Sequence, residues 1–215
     1  MSAREHILGV IRRRLNRPAE DEGRVAARLQ SHPAGPVPAV AAGNAGTLRE
    51  RFVEKALAAS AEVERLEGPA GLPVLVGAIG RDEGDPVRAA VAPHPLLEVL
   101  DWKGAGVEAD MRAGEADDRL AVSVARFGVA ETGTLVLTSG PDSPTTLNFL
   151  PDIHVVLLHA SEIVGGYEEG WARLRQESGM PRTVNWITGP SRSADIEQRL
   201  QLGAHGPIRL VIALV

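Results

Sequence analysis

VNWITGPSRSADIEQRL at 184–200 decides how this chain is read, because it runs from a strand-like apolar stretch through a corner into an amphipathic pattern. Val184 to Thr188 has strand character, Gly189 permits an unusual backbone angle, and Pro190 ends the strand. Ser191 or Ser193 then caps a helix expected over about 194–202, whose first N–H groups have no partners within the helix. Such a corner suits an anion. Arg192 offers a bidentate contact to a carboxylate or phosphate, while Asp195 in the first turn favours the helix dipole and opposes a bound anion. From these residues alone, a plain cap and the wall of a ligand site both stay open.

Downstream, Gly203 ends the expected helix, and the HGP turn at 205–207 leads into a final strand at 209–214. This reads as a strand–helix–strand unit with a right-handed crossover. Upstream, short aliphatic runs recur at 62–66, 73–79, 89–92, 122–130, 134–138 and 153–158. Several are continuously apolar and too short for helices, as expected of strands covered on both faces. Helices fit between them at about 95–101 and 161–177. The alternation predicts an α/β fold, a mostly parallel sheet with helices on both faces.

Two capping boxes mark the N-terminal part. Ser2 with Glu5 opens a helix over about 3–15, with Ile7, Leu8, Ile11 and Leu15 on one stripe. Thr47 with Glu50 opens a second helix, through about Ala59, with Leu48, Phe52 and Leu57 facing a core. Between them the prolines at 18, 33, 36 and 38 predict an irregular arm. The division expected is therefore an N-terminal helix and proline-rich arm over 1–46 and an α/β domain over 47–215.

Composition excludes several chemistries. The 215 residues include no cysteine, which removes disulfides, thiolate nucleophiles, zinc–thiolate sites and cysteine-held iron–sulfur clusters from this chain. A net charge of -5 and an aromatic content of 3% argue against nucleic acid, and Arg12-Arg13-Arg14 reads as a solvated helix face. Lys55 and Lys103 are the only lysines, and no GK[ST] motif accompanies them. No apolar run reaches the roughly 18 residues of a membrane span, and the N-terminus lacks a signal-peptide core, so a cytoplasmic location is expected. Asp142, Asp152 and His159 make no metal-ligand motif.

A second motif is GVAETGTLVLTS at 128–139, where two β-type runs flank Glu131-Thr132-Gly133-Thr134. Gly133 supplies positive φ, and Thr132 and Thr134 are expected to bond the turn's backbone, giving a hairpin with a polar tip. Glu131 is the residue with chemical potential. It sits either at an exposed mouth or partly buried with a partner, where its reactivity becomes a functional question.

Taken together, ETGTLVL at 131–137, LPDIHVVL at 150–157 and ITGPSRSADIEQRLQLGAHGP at 187–207 resemble, in order and spacing, the LUD-domain family of lactate-utilization proteins. The nearest likeness is to its short, cysteine-free LutC-type (YkgG-type) subunit. The resemblance implies an α/β fold related to the superfamily of ribose-5-phosphate isomerase, CoA-transferases and 5-formyltetrahydrofolate cyclo-ligase. It further implies a part in oxidising L-lactate to pyruvate with two other subunits, some of which carry iron–sulfur clusters. Family positions fall on Glu131, Thr132, Gly133 and Thr134, on His154, on Gly189, Pro190, Ser191, Arg192, Asp195 and Glu197, and on His205, Gly206 and Pro207. The family usually has a basic residue shortly before the LLP-like segment, where this chain has Thr145-Thr146-Leu147-Asn148.

The expected site is a small-anion or cofactor cleft where the ETGT turn meets the GPSRSAD corner at the carboxyl ends of parallel strands. Arg192 would orient the anion, the N–H groups after Ser191 would share its charge, and Glu131 would act as acid, base or acceptor. Two other classes stay open. One is an independent acyl- or phosphoryl-transfer enzyme using Glu131 as nucleophile. The other is a non-catalytic assembly subunit whose N-terminal helix and arm dock a cluster-bearing partner.

Overall fold

The computed structural model describes residues 2–15, 20–81, 86–177, 179–193, 201–202 and 206–215. In chain order the regular elements are α1 (Ala3–Leu15), α2 (Glu20–Ser31), α3 (Ala45–Ala58), β1 (Glu62–Arg65), α4 (Leu72–Gly80), β2 (Val87–Val91), α5 (Pro95–Glu98), β3 (Val107–Met111), β4 (Leu120–Val124), β5 (Phe127–Val129) and β6 (Thr134–Thr138). There follow β7 (Ile153–Leu158), β8 (Ile163–Val164), α6 (Tyr167–Gln176), β9 (Val184–Ile187), β10 (Arg192–Ser193), β11 (Gln201–Leu202) and β12 (Arg209–Leu214). By contacts the chain divides into Met1–Pro36 and Val37–Val215.

The first unit holds two helices. Its capping box forms as expected: Ser2 N–H donates to Glu5 Oε2 (2.7 Å) and Glu5 N–H donates to Ser2 Oγ (3.2 Å). No residue of α1 is buried. Within the stretch expected to be irregular, Glu20–Ser31 is helical as α2; the prolines lie outside it, at 18, 33, 36 and 38.

The second unit is built on a six-stranded sheet in the order β1-β12-β7-β4-β2-β3, parallel at every pairing. Side chains of its strands alternate between two cores. Val155, Leu157, Val211 and Ala213 pack with Leu72, Val76, Leu97 and Trp102, which belong to α4, α5 and the loop after α5. Val156, Leu158, Leu210 and Ile212 pack with Phe52 and Ala56 of α3 and with Leu135 and Leu137 of β6. That second face is thus covered by α3 together with a four-stranded sheet, β8-β5-β6-β9. A third cluster, with Phe127, Val136 and Leu174, joins this smaller sheet to α6.

Several local expectations are corrected. Residues 73–79, expected as a strand, form α4: Pro73 sits in the first turn, and Leu72, Val76 and Ile79 are buried while Val74 is exposed. A short apolar run has no period to separate strand from buried helix, and proline in the first turn favours the helix. The run at 122–130 splits at Ala125-Arg126 into β4 and β5, which lie in different sheets. The edge strand β3, VEADM, was not expected, although its apolar and polar residues alternate as in a half-buried strand. Helix α3 is capped by Asn44, whose Oδ1 accepts from Thr47 N–H (3.0 Å), so Thr47 is not the cap and Glu50 instead meets Arg65. Leu57 is exposed, while Phe52 is fully buried. Finally, β9 pairs antiparallel with β6 and β12 lies in the large sheet, so the last segment is not a crossover within one sheet.

Candidate functional site

The ETGT turn closes the β5–β6 hairpin, in which Phe127 faces Val136 and Val129 faces Thr134. Gly133 N–H donates to Val129 O (2.9 Å) with Gly133 at φ +69. Any Cβ there would also stand 2.2 Å from Ala56 N of α3, so both backbone angle and packing require glycine. The threonines do not bond the turn's own backbone. Thr134 Oγ1 meets Thr132 Oγ1 (2.6 Å), Tyr167 OH (3.0 Å) and Thr188 Oγ1 (2.7 Å), and Thr132 Oγ1 also meets Tyr167 OH (2.9 Å). This hydroxyl cluster ties the turn to α6 and to the residue just past β9.

Glu131 is half-buried; its N–H donates to Gly165 O (3.0 Å). Its carboxylate lies beside Gly166, the N-cap of α6, where a Cβ would come within 3.0 Å of Glu131 Oε2. An acid at a helix N-terminus is electrostatically favoured.

Gly189 takes φ +71 and is packed so that a Cβ would lie 2.1 Å from Ala59 O. Ser191 N–H donates to Pro207 O (2.8 Å), clamping the GPS segment to the GP of the later turn. Arg192 and Ser193 then pair antiparallel with Leu202 and Gln201 as β10 and β11. Residues 201–202, expected as the end of a helix, are strand; the helix start that Ser191 or Ser193 was expected to cap lies outside the described residues. The Ser191 N–H is thus drawn into a turn, and the backbone at Arg192–Ser193 lies in a two-stranded ladder. Asp195, Glu197 and His205 lie outside the described residues, as does the helix expected over 194–200.

The GPS segment, with Gly206 and Pro207, walls a cavity of about 230 Å³ that also takes in Asn148 and His154. His154 is the second residue of β7 and is fully buried, with Nε2 2.7 Å from Ser123 Oγ on β4. Its Nδ1 has no partner among the described residues. Burial pushes its pKa down to about 3, so the ring is a neutral imidazole able to donate from one nitrogen and accept at the other. The lining residues His154, Leu210 and Pro207 place this cavity at the amino ends of β7 and β12. It was expected at the carboxyl ends; β9, which delivers the GPS segment, runs in the antiparallel sheet, so its exit does not lie with the exits of the parallel strands.

The sequence model described as LUD domain matches residues 89–215, which is more than half of the chain. The chain belongs to the LUD domain family. Over 128 residues it is 33% identical to lactate utilization protein C of Bacillus licheniformis, covering 57% of this chain and 52% of that one. The protein of the same name from Bacillus subtilis is 31% identical over 127 residues, with the same coverage of 57% and 52%. An uncharacterized protein of Neisseria meningitidis serogroup B is 43% identical over 96 residues, 43% of this chain and 40% of its own. The chain thus spans about half the length of the curated relatives it matches. A crystal structure of a DUF162 family protein from Deinococcus radiodurans superposes with a TM-score of 0.59 at 24% identity, covering 81% of this chain and 99% of that chain. This likeness shows the fold.

Within the LUD domain, then, the structure gathers Gly189 and Ser191 with His154 around one cavity, and Thr132, Gly133 and Thr134 in a neighbouring layer linked through Thr188. Arg192 is exposed, and among the described residues no hydrogen bond or ion pair joins it to Glu131. Ser123, Asn148 and Tyr167 were missed. Ser123 carried a readable signal, a lone hydroxyl in the apolar strand LAVSV; Tyr167 carried only its rarity, as the chain's one tyrosine. Among the described residues, no group of three or more His, Asp or Glu side chains is placed to hold a metal ion. No helix there is long and apolar enough to cross a membrane.

Proposed function

We propose that this LUD domain protein is a LutC-type subunit of an L-lactate utilization system, acting with iron–sulfur-containing partner subunits in the oxidation of L-lactate to pyruvate. The observation that carries this reading is the similarity to proteins named lactate utilization protein C, together with a family match spanning every described lining residue of the motif cavity. These 215 residues offer no thiolate, so the clusters are assigned to the partners. In the cytoplasm such a subunit would meet the small anionic metabolite directly.

In this reading the cleft walled by Gly189 and Ser191 takes a polar group of a cofactor or substrate, hydrogen-bonded by neutral His154. Arg192, with Ser193 and Asp195 following it in sequence, supplies the contact to an anion at the exposed rim. Thr132, Gly133 and Thr134 fix the neighbouring layer, and Glu131 is the candidate acid or base. Growth on L-lactate of a strain lacking its own lactate utilization protein C provides the test. The protein should restore growth; failure at full soluble expression would refute the reading.

A non-catalytic assembly role is a second reading, favoured by the exposed Ile7, Leu8, Ile11 and Leu15 of α1 and Val25 and Leu29 of α2. Here deletion of residues 1–36 abolishes co-purification of an iron–sulfur partner. Undiminished co-purification would exclude it.

A further inference from the structure

The large sheet has a topological switch point that the motif residues do not occupy. From β2 the chain moves outward to the edge strand β3, whereas from β4 it moves the other way, to β7 and then β12. The two connections lie on opposite faces: Leu97 and Trp102, between β2 and β3, pack in the α4 core, while Leu135 and Leu137, between β4 and β7, pack in the α3 core. Neighbouring strands whose connections diverge leave a crevice outside their carboxyl ends, where ligands of parallel α/β sheets bind.

A cavity of about 380 Å³ stands at that place. It is reached from the ends of all three central strands: His94 follows β2, Arg126 follows β4 and His159 follows β7. Arg173 of α6, with Glu162 and Asp142, completes the charged lining. The volume falls within the roughly 300–1,000 Å³ of small-molecule sites.

The lining is held in place. Leu96 N–H donates to His94 Nδ1 (3.2 Å), which leaves Nε2 to carry the proton of the neutral ring. Arg126 directs Nε (2.9 Å) and Nη2 (2.7 Å) to one oxygen of Glu177, leaving Nη1 outside that pair. Arg173 pairs with Glu162 and lies over the Phe127 ring at 5.4 Å. Guanidiniums fixed in this way meet a carboxylate at little further entropic cost. Glu162 and Asp142 call for a donor on the same ligand.

We infer that this crevice is a second binding site, for a small carboxylate carrying an adjacent hydroxyl or ammonium group. The carboxylate is held by Arg126 and Arg173, and the hydroxyl or ammonium donates to the acidic side, with His94 and His159 flanking it. The assignment rests on topology and lining and does not depend on the lactate reading.

The test follows histidine ring signals by NMR while the full-length protein is titrated with L-lactate, L-alanine, pyruvate and inorganic phosphate. Saturable shifts of His94 and His159 with L-lactate or L-alanine, and weaker ones with pyruvate, are expected, whatever the response of His154 in the other cavity. Whichever of the first two wins sorts hydroxy from amino acids. Arg126→Gln should weaken the response at least about tenfold, as expected for losing a charge-assisted hydrogen bond. Asp142→Asn, on an exposed turn, gives a second reading if Arg126→Gln fails to fold. Absence of shifts at His94 and His159 with both L-lactate and L-alanine, or equal shifts there with phosphate, would overturn the site. Binding here without growth complementation would sink only the lactate reading, and complementation without binding would sink only this site.

Discussion

Burial of His154 has a measurable consequence for acid stability. The ring is fully buried on β7, with Nε2 against Ser123 Oγ, and loss of hydration lowers its pKa from 6.5 to about 3. The unfolded chain therefore binds a proton at this position over a pH range where the folded chain does not. Stability from this group is fully present above the unfolded value and is lost as pH falls from about 6.5 toward 3. The slope approaches about 1.4 kcal/mol per pH unit, and between about pH 7 and pH 4.5 it integrates to about 2.5 kcal/mol. His154→Gln keeps a hydrogen-bonding group near Ser123 but does not titrate. Urea unfolding of both proteins at the two pH values cancels the contribution of carboxylates shared between them. The wild type should lose about 2.5 kcal/mol more than the variant on acidification. Parallel losses, within about 0.5 kcal/mol, would refute a neutral, dehydrated His154.

Gly133→Ala should destabilise the fold by more than about 2 kcal/mol in urea unfolding, because left-handed φ and contact with α3 are both violated. Tyr167→Phe removes the hydroxyl shared by Thr132 and Thr134, and a loss of about 1 kcal/mol with an unchanged circular dichroism spectrum is expected. Removing residues 1–36 should leave the thermal midpoint of the remaining unit within a few degrees, since residues 37–215 form a unit with cores of their own; a collapse of the midpoint would contradict this.

Legibility in the sequence followed the strength of local physics. The strands at 134–138, 153–158 and 209–214 were readable because continuous aliphatic runs of that length suit a sheet covered on both faces. Gly133 was readable because its role is local, a turn with positive φ. Residues 73–79 were not, since a buried helix of only nine residues offers no more period than a strand. Partition of the strands between two sheets was also hidden. Nothing in ARF at 125–127 says that the chain leaves one sheet there and enters another.

The site divided along the same line. Gly189 and Ser191 were legible as a corner, and they do line a cavity, but the pairing of Arg192–Ser193 with Gln201–Leu202 depends on residues further along the chain. Ser123 and His154 lie 31 positions apart and meet only through parallel pairing of β4 with β7. His94, Arg126 and His159 were scattered polar residues in the sequence; sheet order brings them to one crevice.

The role proposed for the protein is in lactate oxidation. Its most direct test is L-lactate-dependent reduction of an electron-accepting dye by purified iron–sulfur partner subunits, measured with and without this protein. Dye reduction should depend on adding the protein and saturate at a fixed ratio to the partners. An unchanged rate in its absence, with the protein folded and present in excess when added, would contradict it.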